Sequence, residues 1–263
     1  MVLVLVVFGC LTGATTLVFG FGGGFVTVPV VYAVSTAVSR SEAMHVAVAT
    51  SAAVMIVNAA IATCAQARSG RLRGDHLRPL VGFITLGAVA GALASNAVSD
   101  RALHLLFAAY LVIAIADIAL RRGFISRSHD RVAEPEPLGT SRSIVAGTGI
   151  GAVAAFLGVG GSVLTVPLLR RRGLSMAEST ALANPLGLPV AIAATLTYSL
   201  AAPHDSGPLG YVDPIAAVAL LAGSLPTMAL IRRALPRIPD RAHAIGYPVF
   251  LTVVLFAMLA TSV

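Results

Sequence analysis

Long apolar runs separated by short polar stretches make up most of the chain. Six runs are close to 20 residues long and contain at most two ionisable residues each: 45–66, 80–99, 102–120, 181–202, 211–231 and 244–262. Two further apolar stretches, 1–38 and 143–169, are interrupted in the middle by glycine clusters. Because a helix needs about 20 apolar residues to cross the hydrocarbon core of a bilayer, the pattern predicts an all-α polytopic membrane protein with about eight membrane helices.

The two interrupted stretches are related in sequence. Residues 20–29, GFGGGFVTVP, align with residues 158–167, GVGGSVLTVP, and six of the ten positions are identical. A duplication of this kind indicates internal structural repeats. We therefore predict membrane repeat 1 at residues 1–120, a cytoplasmic linker at 121–142 and membrane repeat 2 at 143–263. Each repeat is expected to contain a glycine-broken helical hairpin followed by three transmembrane helices.

The distribution of arginine predicts how the repeats are oriented. Cytoplasmic loops of membrane proteins carry an excess of basic residues. If each interrupted stretch returns to the side on which it starts, the loops of one side carry 16 arginines and those of the other side carry two. If each stretch crosses once, the division is nine against nine. The count therefore predicts inverted-topology repeats, with both termini outside, the linker inside, and hairpins that either re-enter or cross fully.

The amino-acid composition supports a membrane protein and argues against a soluble domain, a nucleic-acid-binding protein or an enzyme. Hydrophobic residues make up 57% of the chain and charged residues 11%, whereas soluble domains have about 25% charged residues. The net charge of +7 lies in short stretches between apolar runs, which indicates membrane topology and not a nucleic-acid surface. Cys10 and Cys64 match no metal or redox spacing. Motifs of serine hydrolases and zinc peptidases are absent from the sequence, so we expect no enzymatic activity, no cofactor and no metal.

The two glycine clusters are the predicted substrate site. A helix can break inside a bilayer only where protein or a water-filled cavity satisfies its freed backbone groups. Glycine permits such a break, and a proline follows each cluster at the same distance and removes one backbone donor. Paired broken helices in inverted repeats place the substrates of secondary transporters near the bilayer midplane. We assign the structural breaks to Gly20, Pro29, Gly158 and Pro167.

The chemistry expected at this site is anion binding. A helix that restarts after glycines points N–H groups and a partial positive charge into the cavity. Hydroxyl and amide side chains at matching positions of the two halves would add neutral donors. The predicted substrate-binding residues are Gly22, Gly23, Gly24, Thr27, Thr50, Ser51, Gly160, Gly161, Ser162, Thr165 and Asn184. Close helix packing is the alternative explanation for the small residues.

Other polar residues within the apolar runs are few. Asn58 and Asn96 are weaker candidates for the site, and a structural role is favoured for both. His45 and His104 lie at predicted outer helix ends, and they are the residues we nominate if transport is coupled to protons.

These residues resemble the sulfite exporter TauE/SafE family. The resemblance rests on the two glycine-rich motifs with a following Val-Pro, a small-residue helix beginning at Ala43, and a Gly-x-Leu turn at Gly70. Ser162 replaces the third glycine in the second copy. Asn184-Pro185 stands where many members carry Thr-Ser. The resemblance covers nearly the whole chain and implies a bacterial or archaeal inner-membrane protein, with seven or eight transmembrane helices, that moves small anions such as sulfite, thiosulfate or sulfonated and carboxylated organic acids.

The expected function is secondary transport of such anions across the cytoplasmic membrane, linked to proton movement. The expected partners are a small anionic solute and membrane lipid, without nucleic acid, and a homo-oligomer is left open. A passive anion channel is the main alternative, since inverted repeats with re-entrant hairpins also build channels. An intramembrane enzyme or a purely structural role is a weaker one.

Overall fold

The chain is described by a computed structural model over residues 1–38, 42–68, 74–120, 124, 140–201, 209–234 and 238–261. Within these ranges it forms ten α-helices and no strand. They are α1 Val2–Phe19, α2 Gly24–Ala37, α3 Ala43–Arg68, α4 Gly74–Asn96, α5 Asp100–Leu120, α6 Thr140–Phe156, α7 Ser162–Arg171, α8 Met176–Ala201, α9 Pro214–Ala234 and α10 Asp240–Ala260. Most of the predicted linker, and the turn at Gly70, lie outside the described residues.

Six of the described helices are long and apolar enough to cross a membrane, namely α1, α3, α5, α8, α9 and α10. Shorter apolar helical segments occupy Gly24–Ala37, Leu80–Asn96 and Ile144–Phe156. Large apolar side chains such as Ile113 and Val218 are exposed on the outer surface, which is normal for helices that face lipid. The prediction of an all-α polytopic membrane protein is confirmed. The number of crossings and the inverted orientation of the repeats stay predictions.

The two halves have the same order of helices and pack into each other. In each half, two helices separated by a glycine cluster are followed by three longer ones. The first helix of each half packs against the fourth helix of the other, since α1 contacts α9 and α6 contacts α4. The third helices, α3 and α8, contact each other, as do the fifth, α5 and α10. The contacts between the halves are therefore symmetric: each pair of helices stays the same when the first half is exchanged for the second.

Glycines allow the first and fourth helices to approach closely. A Cβ atom at Gly13 of α1 would lie 2.5 Å from the carbonyl oxygen of Ser224 in α9. A Cβ atom at Gly91 of α4 would collide with the carbonyl oxygen of Ala152 in α6. Small residues four positions apart are the usual means of bringing membrane helices into backbone contact. The glycine pairs on these faces are Gly9 and Gly13, Gly87 and Gly91, and Gly147 and Gly151.

An aspartate at the start of the fifth helix of each half caps the third helix of that half. Oδ1 of Asp100 accepts a hydrogen bond from the N–H of Met44 at 2.7 Å, and Oδ1 of Asp240 accepts one from the N–H of Met176 at 2.7 Å. A carboxylate at a helix N-terminus satisfies unpaired N–H groups and complements the helix dipole. Each half therefore ties its third helix to its fifth by the same contact.

Candidate functional site

Glycines in the left-handed backbone region form both helix breaks. The φ angle is 72° at Gly20, 63° at Gly22 and 99° at Gly23 in the first cluster. In the second cluster it is 67° at Gly158 and 68° at Gly161. A residue with a Cβ atom adopts this conformation at a cost of roughly 1–2 kcal/mol. The breaks predicted at Gly20 and Gly158 thus lie just after the ends of α1 and α6.

The prolines predicted with these breaks lie elsewhere. Pro29 is inside α2 and Pro167 is inside α7, at the same distance from the start of each helix. A proline there removes one backbone hydrogen bond in the second helical turn. The breaks are therefore made by the glycines, and the prolines weaken the helices that follow.

The chain folds back at each break. Gly23, the N-cap residue of α2, contacts the Thr12 side chain of α1. A Cβ atom at Gly161, the N-cap residue of α7, would lie 3.1 Å from Cγ2 of Ile150 in α6. Both contacts lie about two turns before the end of the preceding helix. Each short helix therefore begins beside the helix that precedes it.

The two breaks contact each other in the interior. A Cβ atom at Gly24 would lie 2.8 Å from the carbonyl oxygen of Gly158, and one at Gly160 would lie 3.0 Å from the carbonyl oxygen of Phe21. The Ser51 hydroxyl of α3 donates a hydrogen bond to the same Gly158 carbonyl at 2.8 Å. The structure thus brings together predicted site residues from both ends of the chain. We call this region the central contact: Gly20–Gly24, Ser51 and Gly158–Ser162.

Two helices begin at the central contact, and protein side chains cap neither of them. The N-cap residues of α2 and α7 are Gly23 and Gly161, and neither helix has a side-chain capping hydrogen bond. The N-terminus of a helix carries a partial positive charge and is a favourable place for an anion. Each of the two breaks therefore holds a positive helix end that no described side chain caps.

A buried amide group points a donor at the start of α2. Asn58 of α3 is fully buried, and its Nδ2 lies 3.1 Å from the position of a Cβ atom at Gly23. Its Oδ1 accepts a hydrogen bond from the Ser224 hydroxyl at 2.8 Å, which orients the amide. Nδ2 itself has no hydrogen-bond partner in the described part of the chain. Such an unpaired buried donor costs about 1–3 kcal/mol, so a ligand that accepts this hydrogen bond would be stabilised.

The other predicted polar residues are buried but differ in what they contact. Asn184 of α8 donates from Nδ2 to the Thr16 carbonyl at the end of α1, at 3.1 Å. The hydroxyl of Thr50 accepts from the N–H of Asp213 at 2.9 Å and so contacts the start of α9 instead of the breaks. Thr165 donates within its own helix, at 3.4 Å. Thr27 is fully buried in α2, and no described residue is a partner for its hydroxyl.

Met55 of α3 lies against both breaks and was not among the predicted site residues. Its Sδ would lie 3.0 Å from a Cβ atom at Gly160, and its Cγ would lie 2.6 Å from one at Gly22. An unbranched thioether fills irregular gaps well. A single methionine in an apolar run has no polar or periodic signal, so local pattern could not have identified it. Met55 and every residue of the central contact are buried.

The fold and the central contact together define a polytopic membrane protein in which two broken helices meet in the interior. Residues 5–260 match the family model of the sulfite exporter TauE/SafE family. The chain belongs to this family, which confirms the resemblance carried by the glycine-rich motifs. It is therefore an integral, multi-pass membrane transport protein, and membership of a transporter family favours transport over catalysis.

Two curated proteins are similar to the chain. A probable membrane transporter protein of Haemophilus influenzae is 26% identical over 265 residues, which cover 98% of this chain and 97% of that protein. A probable membrane transporter protein of Methanocaldococcus jannaschii is 26% identical over 169 residues, which cover 63% of this chain and 60% of that protein. No solved structure matches the chain.

Proposed function

We propose that the chain is a secondary transporter of small anions, linked to proton movement, in the cytoplasmic membrane of a bacterium or archaeon. The expected substrates are sulfite, thiosulfate, organosulfonates or small carboxylates. The observation that carries this proposal is the central contact itself, where two helices without side-chain caps begin and the unpaired Asn58 donor lies beside the first of them. Donors and positive helix ends favour a negatively charged ligand.

The neutral character of the central contact suits a ligand that must be released. The central contact consists of glycines with two serines, Phe21 and Val159, and the side chains packed against it include Asn58, Thr12 and Met55. None of these contacts involves a cationic side chain. Helix dipoles and neutral donors hold an anion less strongly than an arginine pair would. A moderate affinity permits both binding and release, which transport requires.

The closed state of the central contact favours a transporter over an open channel. The Thr27, Ser51 and Ser162 side chains are fully buried, so solvent does not reach them in this conformation. Transporters with paired broken helices expose such a site alternately to each side by moving one repeat against the other. Movement of the two interlocked halves would open the central contact to either side.

Flux measurements with purified protein in proteoliposomes test the proposed function. Labelled sulfite, thiosulfate, sulfoacetate and a carboxylate such as lactate are offered with and without an imposed pH gradient. We expect saturable flux of at least one anion that increases with the gradient. Flux that does not saturate and ignores the gradient would favour a channel, and the lack of flux of every anion through folded protein would contradict the proposal.

Valine substitutions at the breaks link this flux to the central contact. Gly23→Val and Gly161→Val should each lower flux at least about tenfold, because both positions need positive φ, at roughly 1–2 kcal/mol for a residue with a Cβ, and both face neighbouring side chains. Gly173→Val is the matched control. Gly173 has a φ of 97°, close to the 99° of Gly23, but a Cβ atom there has no neighbour within 4 Å. Unchanged flux in both break variants, or equal loss in the control, would count against the site.

A further inference from the structure

The aspartate caps of the two halves have different cationic partners. In the second half, Nη2 of Arg170 lies 2.8 Å from Oδ2 of Asp240. In the first half, Nδ1 of His45 lies 3.3 Å from Oδ1 of Asp100. Arginine remains charged at any physiological pH, whereas histidine gains or loses its proton near neutral pH. The two aspartates match, but Arg170 lies on α7 and His45 on α3. The ion pair of Asp240 is therefore permanent, and the contact of Asp100 depends on a proton.

Both ring nitrogens of His45 face hydrogen-bond acceptors. Nδ1 faces the Asp100 carboxylate, and Nε2 lies 3.2 Å from the carbonyl oxygen of Ser95 at the end of α4. A neutral imidazole carries one N–H and could donate to only one of these acceptors. Only the imidazolium form donates to both. The geometry around His45 therefore fits the protonated state.

The His45 ring also contacts the other half of the molecule. Tyr211, in the segment before α9, stacks on it with ring centroids 5.3 Å apart. The Tyr211 hydroxyl donates to Oε1 of Glu42 at 3.1 Å. Burial, and then the nearby Glu42 carboxylate, raise the pKa of Tyr211 to about 12, so the phenol stays protonated. Asp100 is about a quarter exposed, which connects the otherwise buried ring to the aqueous phase.

The charged and titratable groups around His45 come from each described element that packs on it. The groups that act on His45 or on its partner Asp100 are Glu42 before α3, Asp100 and His104 on α5, Tyr32 on α2, and Tyr211 of the other half. The carboxylates of Glu42 and Asp100 favour a positive charge on the ring. His104 is the only other imidazole of this group.

We propose that His45, together with Asp100, is the site that binds the proton linked to transport. This inference rests on the proposed function. A hydronium ion of the aqueous phase gives up a proton: the second N–H bond of the ring forms, one O–H bond of hydronium breaks, and water leaves. The protonated ring joins α3 to α4, α5 and the segment before α9. When the proton leaves, one ring nitrogen presents a lone pair to an acceptor, and this junction between the halves is weakened.

His104 provides a matched control within the same region. Its ring is buried and packs against Tyr32 at a tilt of 42°, with centroids 4.7 Å apart. Neither of its nitrogens has a hydrogen-bond partner among the described residues. It lacks the paired acceptors that a protonated ring requires, so His104→Gln should leave proton coupling in place.

The protonation state of His45 can be measured without transport. Nitrogen-15 NMR of histidine-labelled, full-length protein in lipid nanodiscs would resolve its ring signals, with His45→Gln used to assign them. We expect two protonated ring nitrogens for His45 at neutral pH in the wild type. We expect this signal to be lost in Asp100→Asn and kept in His104→Gln. A singly protonated His45 ring in the wild type would overturn the proposal, whatever the transport result.

Coupling is measured by comparing two kinds of flux in proteoliposomes. Labelled thiosulfate is a suitable probe because its charge is constant near neutral pH, with sulfoacetate as the substitute if thiosulfate is not carried. His45→Gln should lose accumulation driven by the pH gradient at least about tenfold, while exchange of anion against anion falls much less. Accumulation that persists in this variant would refute the assignment of His45. Lack of exchange in the wild type would instead contradict the proposed function, and the NMR result would still test His45.

Discussion

The backbone conformations of Gly23 and Gly161 determine the shape of the central contact. Each is the N-cap residue of a short helix, and each has a positive φ angle. The usual N-cap residues, serine, threonine, aspartate and asparagine, would occupy the helix end with their own oxygen atoms. Glycine leaves that end open. A protein that must bind and release an anion at a helix N-terminus therefore benefits from a residue that offers no competing side chain.

Asn58 should act through its unpaired Nδ2 donor. Asn58→Asp keeps an oxygen for the Ser224 hydroxyl but replaces the donor near Gly23 with a second carboxylate oxygen. We expect the KM for the transported anion to rise at least about tenfold, because the new group repels an anion instead of donating to it. The concentration dependence of flux in proteoliposomes measures this change.

Two further variants serve as controls for Asn58. Asn58→Ala removes the donor without adding charge and should raise KM in the same direction by a smaller factor. Asn96→Asp alters an amide that donates to the Ala92 carbonyl of its own helix, at 3.1 Å, and should leave KM unchanged. An unaltered KM in both Asn58 variants would show that this amide is structural.

The local sequence pattern identified some residues of the central contact and its surroundings better than others. The role of Gly23 and Gly161 at the breaks was predictable because the same motif occurs in both repeats. A backbone conformation that favours glycine can be recognised from glycine in the sequence. Asn58 was only a weak candidate, and Thr50 was expected at the breaks although its hydroxyl contacts Asp213. Which way a helix faces inside a membrane depends on its neighbours, because small apolar residues on all sides leave no clear polar face.

Among the helices, the contacts of α1 with α9 and of α4 with α6 depend on glycine faces. There is little hydrophobic driving force between helices in lipid, so association relies on close packing and hydrogen bonds. Gly13 and Gly91 lie where a side chain would meet the backbone of the facing helix. These faces hold the first and fourth helices of opposite halves together. The helices themselves were predictable from apolar runs, but the choice of partner arises from long-range packing.

Two substitutions within α4 separate a packing glycine from a neutral one. Gly91→Leu should lower stability by about 1–3 kcal/mol or more, because the added side chain cannot fit against the α6 backbone. Gly82→Leu should have little effect, since a Cβ atom at Gly82 has no neighbour within 4 Å. Thermal unfolding in detergent, followed by loss of the monodisperse peak, measures both. Equal unfolding temperatures for the two variants would argue against this role of the glycine face.

Taken as a whole, the molecule is built from two halves that cannot be separated without exposing their contacts. Each half gives its first helix to the fourth helix of the other, and the third and fifth helices pair across the centre. The boundaries of the repeats were predicted from the duplicated motif, from further sequence matches between the halves and from the polar stretch that joins them. The orientation of each half in the membrane was predicted from the distribution of arginine between the loops. It is a property of the whole molecule, because a change in the direction of one helix across the membrane would reverse every helix that follows.

Cysteine labelling tests the predicted orientation. In a background with Cys10 and Cys64 replaced by serine, Thr261→Cys should react with a membrane-impermeant maleimide added to intact cells, because both termini are predicted outside. His129→Cys, in the predicted cytoplasmic linker, should react only after the membrane is permeabilised. Labelling of both from the same side would show that the second repeat crosses an even number of times, and the reverse pattern would place the termini inside.

The exchange of first and fourth helices between halves also sets an order of assembly. Roughly 40 residues, which include α5, separate the end of α4 from the start of α6, so these two helices can pair soon after both have been synthesised. Roughly 200 residues separate the end of α1 from the start of α9, which takes about 10–40 s at ordinary rates of translation. During that time the glycine face of α1 remains in the lipid without its partner. Docking of α9 onto α1 is therefore a late step of biogenesis, and it joins the first helix to be made to one of the last.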